Sequence, residues 1–228
     1  MINEKAFRQL SYGLSIVTSR LMVDGQEAFN GQVANAIFQV SSKPPVIAAS
    51  INKDNLTHKY INDSRLFNIT VLTENIDMEK IGLFGYKSGH EVNKFENRND
   101  PMGENGIPLV GEGDDVSALF ECRVISSIDV HTHTVFMGEV TRAAHFDQAP
   151  MTYAHFHKVK GMKSPKNAPT YIDDSEPVIE KGESEGYVCD VCGFEYNASG
   201  NSNIAWNDLP HDWICPVCGA ERDAFSLQ

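Results

Sequence analysis

Two short runs near the end of the chain, "YVCDVCGFEY" and "DWICPVCGAE", each place two cysteines three positions apart: Cys189 with Cys192, and Cys215 with Cys218. Four thiolates can close a tetrahedral shell around one metal ion, and soft sulfur ligands in that geometry select zinc or iron. The glycines after each pair, Gly193 and Gly219, can take positive φ where the chain turns tightly. The spacing specifies a metal and leaves its identity open. Aromatics are dense around these pairs: Tyr187, Phe194, Tyr196, Trp206, Trp213 and Phe225. A zinc ribbon needs little around its ion, whereas here much of a small core would be aromatic.

A second set of residues is chemically different. From Phe29 to Thr73 the chain offers uncharged donors and acceptors, Asn30, Gln32, Asn35, Ser50, Asn52, Asn55 and Thr57, with Lys53 and Lys59 nearby. Such groups suit a planar heterocycle rich in acceptors and carrying a phosphate. Asn55 and Thr57 stand where a helix should begin, a natural place for an anion. The remaining reactive types read more plainly. Cys122, between Glu121 and Arg123, is expected to be a packed thiol. His131 and His133 could bind a metal, but they fall in a strand connection, where exposure is the usual outcome. His155 and His157 lie in a basic closing segment, with His157 as either a surface group or a neighbour of the cofactor.

These groups must be held by strands. Two apolar runs flank Asp24-Gly25, a hairpin signal. "PPVIAASIN" and "LFNITVL" read as strands, with a helix "NLTHKYINDS" between them capped at Asn55 or Asp54. "NIDMEKIGLFG" reads as a short helix ended by Gly85. Residues 86–106 read as a long polar loop. "ALFECRVISSIDV" and "TVFMGEVTRAAHF" read as two long strands joined at "HTH". The expected fold is mainly β, a barrel with short helices. Residues 173–186 are acidic and interrupted by Pro177, Gly182 and Gly186, so they read as an extended linker. The expected domains are 1–172 and 187–228.

The chain has 228 residues, 41% of them hydrophobic, with a net charge of −12. That charge argues against a nucleic-acid surface and against attachment to an anionic membrane. The start lacks the basic-then-apolar order of a signal peptide, and no apolar run approaches the length of a membrane span. The expected location is cytoplasmic, where paired thiols bind metal and do not form structural disulfides. One charge contrast stands out. Lys158, Lys160, Lys163 and Lys166 form a basic island without acids from Gln148 to Ile172, while the cysteine-bearing module is acidic. The island is expected either to guide anions, nucleotide phosphates or the acidic module, or to be a solvated lysine face.

The order "YVCDVCGFEY…WNDLPHDWICPVCG…DAF" resembles rubredoxin over about residues 187–226. The segment between the knuckles, Gly193 to Ile214, is several residues shorter than in most rubredoxins. The resemblance implies one iron held by Cys189, Cys192, Cys215 and Cys218, moving one electron at a time; a structural zinc is the lesser alternative. "NGxxAN", then "SxNKxNxTH" and "FxIxVL", with "LFGYKSGHEVNKF" and "YAHFHKVKGMKSPKNAPTY" later, resemble the flavin reductase-like family over about residues 3–171. That resemblance implies a split β-barrel, a homodimer, and FMN held by Asn30, Gln32, Val33, Asn35, Ser50, Asn52, Lys53, Asn55, Thr57 and His58. Phe84, Ser88, Gly89 and Lys94 are candidates for flavin or nicotinamide contact, and Pro169, Thr170 and Tyr171 for the flavin or the dimer seam. The pairing of the two resembles the high-molecular-weight rubredoxins of anaerobes.

The implied activity is hydride transfer from NAD(P)H to FMN, then single electrons through Fe(Cys)4 to an external acceptor, a flavodiiron reductase of oxygen or nitric oxide. No nucleophile or acid/base pair is needed, since the cofactors carry the chemistry. The alternatives are an FMN/iron carrier without its own NAD(P)H site, and a reductase that releases reduced flavin to a monooxygenase.

Overall fold

The computed structural model describes residues 2–158, 161–171, 186–196 and 204–227. The expected linker therefore lies almost wholly outside the described residues. Seven strands form one antiparallel sheet in the order β2-β1-β5-β6-β7-β4-β3. They are β1 (Ser15–Val23), β2 (Gln26–Ala34), β3 (Ile37–Ser42), β4 (Pro45–Asn52), β5 (Leu66–Leu72), β6 (Val116–Val130) and β7 (His133–His145). Strands β2 and β4 stand far apart in that order yet lie within contact distance, because the sheet curls into a split barrel.

Local chemistry sets the joints. Asp24 and Gly25 both take positive φ, 50° and 80°, so the β1–β2 turn is the tight two-residue kind that matches strand twist. Val23 pairs with Gln26 and the ladder runs to Ser15 opposite Ala34. His131 takes φ 50° in the equivalent turn between β6 and β7, and His133 already pairs with Val130. Helix α1 (Leu56–Ser64) packs on the sheet through Thr57, Tyr60 and Ile61. It stops at Arg65, which adopts the left-handed conformation.

The helix expected to end at Gly85 runs differently. Asp77 caps α2 (Met78–Ile81), its Oδ1 accepting from the Glu79 amide at 2.9 Å. The chain then widens into a π turn over Gly82–Tyr86 and turns extended only at Lys87. Gly82 has ordinary right-handed angles, φ −56° and ψ −53°, so it continues the coil and does not break it. The long polar loop that follows is pinned by Glu121, whose carboxylate accepts the amides of Glu104 and Asn105. Helix α3 (Tyr153–Lys158) precedes the closing segment.

The C-terminal module has a three-stranded sheet, β10-β8-β9, from β8 (Tyr187–Cys189), β9 (Glu195–Tyr196) and β10 (Phe225–Leu227). Its core is aromatic, as the composition requires. Tyr187 stacks on Trp206 at 4.2 Å and 11°, while Trp213 and Phe225 meet Trp206 at 5.7 and 4.9 Å. The Arg222 guanidinium covers the Trp206 ring at 5.1 Å. One buried cluster fills the sheet interior around Ile51, Ile69 and Phe136. A second joins Ile81, Phe84, Met151 and Met162 to Cys189, Cys192, Cys215 and Val217, so the two modules share a core.

Candidate functional site: a thiol cage beside an amide-lined cavity

The four paired thiols converge. All four sulfurs lie within 4.8 Å of one another, with Cys189 Sγ 3.6 Å from Cys218 Sγ and Cys192 Sγ 3.7 Å from Cys215 Sγ. A disulfide needs about 2.05 Å, so these are separate ligands. A tetrahedron with metal–sulfur bonds of about 2.3 Å has edges of about 3.8 Å, close to these two separations. The knuckles match each other bond for bond. The Gly193 and Gly219 amides donate to the Cys189 and Cys215 carbonyls, each at 2.8 Å. The Phe194 and Ala220 amides are directed at the Cys192 and Cys218 sulfurs. Hydrogen bonds from the other three cysteine side chains hold Cys189 well below the usual thiol range. Cys215 is lowered with it, while Cys192 and Cys218, the donors in the same cluster, are raised; the four converging sulfurs fit an iron or zinc ion.

The uncharged groups meet around a cavity of about 290 Å³. Asn30, Gln32, Val33, Asn35, Ser50, Asn52, Asn55 and Thr57 all line it, and so do Phe84, Ser88, Gly89, Lys94 and Pro169. Lys53, His58 and Tyr171 lie outside the lining. Lys53 is paired with Asp129. His58 Nε2 is 2.8 Å from Thr134 Oγ1, and burial first, then the Lys53 charge, lowers its pKa. The Tyr171 amide donates to the Ala168 carbonyl at 3.0 Å.

Hydrogen bonds organise the lining. Thr57 Oγ1 donates to Asn30 Oδ1 at 2.8 Å. The closing segment is strapped across the cavity: Asn35 Nδ2 donates to Thr170 Oγ1 at 2.7 Å, Asn52 Nδ2 to the Asn167 carbonyl at 3.3 Å, and Asn167 Nδ2 to Asn55 Oδ1 at 3.1 Å. Two lining atoms, Gln32 Oε1 and His133 Nε2, are buried and have no hydrogen-bond partner among the described residues. Buried polar atoms normally find one, so they suit a bound group with both donors and acceptors, as an isoalloxazine ring has. Lys94 is buried, its Nζ donating to the carbonyls of Gly31 at 2.9 Å and Phe84 at 3.3 Å. Burial lowers its pKa to about 8.

Nothing in the sequence alone points to His133 in this cavity. It sits there because β7 begins at the turn, beside Asn52 in the register; burial lowers its pKa, with the Asn167 carbonyl opposing. His131 is exposed, as a strand connection suggests. His155 Nδ1 pairs with Glu74 at 3.0 Å, and His157 Nδ1 lies 2.5 Å from the Met162 carbonyl; neither lines the cavity. Cys122 is buried in the sheet core, its pKa pushed up to about 12 by burial and then by Glu121. Of the basic island, Lys166 lines the cavity, and Lys163 Nζ donates to the Asp190 carbonyl at 3.2 Å. The side chain of Lys158 and all of Lys160 lie outside the described residues. Tyr86 is a further cavity residue that the sequence alone does not mark. It lines the cavity, donates its hydroxyl proton to the Lys163 carbonyl at 2.6 Å, and has its pKa raised well above the usual phenol value by burial and then by Cys192.

Known proteins divide the chain in the same way. The family model "Flavin reductase like domain" matches residues 7–161 and the model "Rubredoxin" residues 186–225. A high molecular weight rubredoxin of Moorella thermoacetica is 41% identical, over 98% of this chain and 99% of that protein. A ferric-chelate reductase (NAD(P)H) of Archaeoglobus fulgidus is 39% identical, over 74% of this chain and 97% of its own length. Among solved structures, an NADH:FAD oxidoreductase of Streptomyces globisporus in complex with NAD and FAD fragments shares the fold. Its TM-score is 0.56 at 24% identity, over 67% of this chain and 90% of that one. The chain thus belongs to the flavin reductase-like family and carries a C-terminal rubredoxin, the two-part make-up of the high-molecular-weight rubredoxins.

Proposed function

We propose that the chain takes a hydride from NAD(P)H onto FMN in the amide-lined cavity and passes electrons singly through Fe(Cys)4 to an external flavodiiron protein. The observation that carries this reading is the common core: cavity wall and thiol cage belong to one buried cluster. Bound FMN supplies two-electron acceptance with one-electron release, and iron in the cage supplies the one-electron step.

The chain's own residues bind and orient. Asn30, Asn35, Asn52 and Ser50 offer neutral hydrogen-bonding groups to the ring system, and Gln32 Oε1 offers an acceptor for a ring N–H. Asn55 and Thr57 at the start of α1, with Lys166 at the rim, suit the phosphate. Lys53, His58 and Tyr171 retain the roles implied by resemblance only at the edge of the site. The backbone amides aimed at the cysteine sulfurs tune the metal's potential. Exposed Val191 and Ile214 beside the cage offer a face to the acceptor. Exposed Phe38 and Val40 on edge strand β3 and Ile128 and Val130 on β6 are compatible with a homodimer. The domain limits 1–172 and 187–228 and a cytoplasmic location complete the reading; in that compartment the five unpaired cysteines stay reduced.

An anaerobic spectrum tests it. Flavin and iron-thiolate bands should both bleach on NADH or NADPH, and adding a flavodiiron protein with oxygen should restore turnover. Colour that persists with either nucleotide rejects the reductase reading, and stoichiometric zinc without long-wavelength colour rejects the iron.

A further inference from the structure

Two segments of the flavin-reductase-like domain each have the cavity on one side and the cysteine module on the other. The first is the stretch from α2 through the π turn. Ile81, Phe84, Gly85, Tyr86 and Lys87 line the cavity, whereas Gly82, in the same coil, faces the second knuckle. A Cβ built on Gly82 would lie 1.8 Å from the Val217 carbonyl oxygen. The second is the closing segment. Pro165 to Pro169 line the cavity, while the Lys163 amide donates to the Cys192 carbonyl at 2.8 Å. Just before it, the Gly161 carbonyl oxygen lies 2.1 Å from where a Gly193 Cβ would stand.

Both knuckles are thus seated backbone against backbone, with glycine at each point of closest approach. Such fits are specific, because any side chain there would hold the surfaces apart. Tyr86 ties the two segments together through its bond to the Lys163 carbonyl.

We propose that the stretch Ile81–Lys87, with Gly161–Lys163, is the docking surface for this chain's own rubredoxin module, and that single electrons cross there from the flavin cavity to the metal. The inference rests on the functional reading above and adds the route: within one chain, through a wall one residue layer thick. Electron transfer falls steeply with separation, so a wall this thin favours the crossing here. The balance is simple. One nicotinamide hydride supplies two electrons. Two successive crossings each turn one ferric ion ferrous, the external acceptor reoxidises the iron after each, and one proton is released to solvent.

Gly82→Ala tests it in the full-length, iron- and flavin-loaded protein. Gly82 has helical angles, so alanine is locally welcome, and Gly82 is not part of the cavity lining. The variant should keep its flavin and iron content and its rate of flavin bleaching by NADH. Transfer from flavin to iron should slow about tenfold or more, and hydrogen exchange at the Lys163 amide should accelerate. Lys163→Ala should shift both readouts the same way by less. If either transfer or exchange stays at the wild-type value in Gly82→Ala, the docking route is wrong. Photoreduction of the flavin can supply the electrons, so a protein that ignores both nucleotides defeats the functional reading while still testing the route.

Discussion

The two cofactor regions of this chain are built on opposite plans. The metal cage takes all its ligands from two four-residue turns, closes a shell of strong bonds, and rests on a few stacked aromatics. The cavity draws on the strands β2 and β4, helix α1, the π turn and the closing strap, and none of its lining groups bonds covalently. The cage concentrates its energy in four atoms, whereas the cavity spreads it over many modest contacts. Loss of one member should therefore be nearly all-or-none at the cage and graded at the cavity.

The largest effect expected is at the cage. Cys192→Ser should abolish iron binding and with it the order of the small module, since thiolate cages of this kind couple metal binding to folding by on the order of 10 kcal/mol. Iron analysis and the near-ultraviolet dichroism of Trp206 and Trp213 should both fall to background, while flavin remains bound and still bleaches with NADH. If the flavin is lost as well, the shared cluster makes the two regions one folding unit, and the contrast fails.

The contrast also explains what the sequence could reveal. The cage was readable because its ligands are neighbours in the chain at fixed offsets, and the aromatics around it have no other use in so short a module. The Asp24-Gly25 hairpin and the long β6 and β7 strands were readable for the same local reason. The amide set from Asn30 to Thr57 was readable as a candidate because β2, β4 and the start of α1 follow one another. His133, Tyr86 and the docking glycine Gly82 were not. His133 enters the cavity only through the pairing of β7 with β4. Gly85 reads as the helix end, and nothing marks Gly82 until the second knuckle, over 130 residues later, is packed against the coil. The strap formed by Asn167 and Thr170 depends on the same kind of long-range closure.

Lys94 probes the cavity's tolerance of charge. Its folded pKa of about 8 against an ordinary 10.5 means that between these values the unfolded chain holds more protons than the native one. Stability from this group therefore rises with pH across that window, and below pH 8 the cost of burying the charge is felt in full. The difference in urea midpoint between wild type and Lys94→Met should shift in favour of wild type from pH 8 to 10.5. The slope should approach, at most, about 1.4 kcal/mol per pH unit. A pH-independent difference would mean that the ammonium keeps its ordinary affinity for protons, and that the cavity floor is wetter than its burial implies.

The smallest effect is the most pointed, because its two halves have opposite signs. Gln32 Oε1 is buried without a partner among the described residues, and an unpaired buried acceptor costs about 1–3 kcal/mol. Gln32→Leu removes that oxygen and keeps most of the volume. The flavin-free protein should gain about 1 kcal/mol in thermal or urea unfolding, while FMN binding weakens roughly tenfold. The cage admits no such trade, since every substitution of a ligand there loses both metal and stability. Lower stability of the flavin-free variant together with unchanged FMN affinity would show that Gln32 serves the fold and not the cofactor. The acceptor facing the ring would then have to be sought at His133 or among the asparagines of β2 and β4.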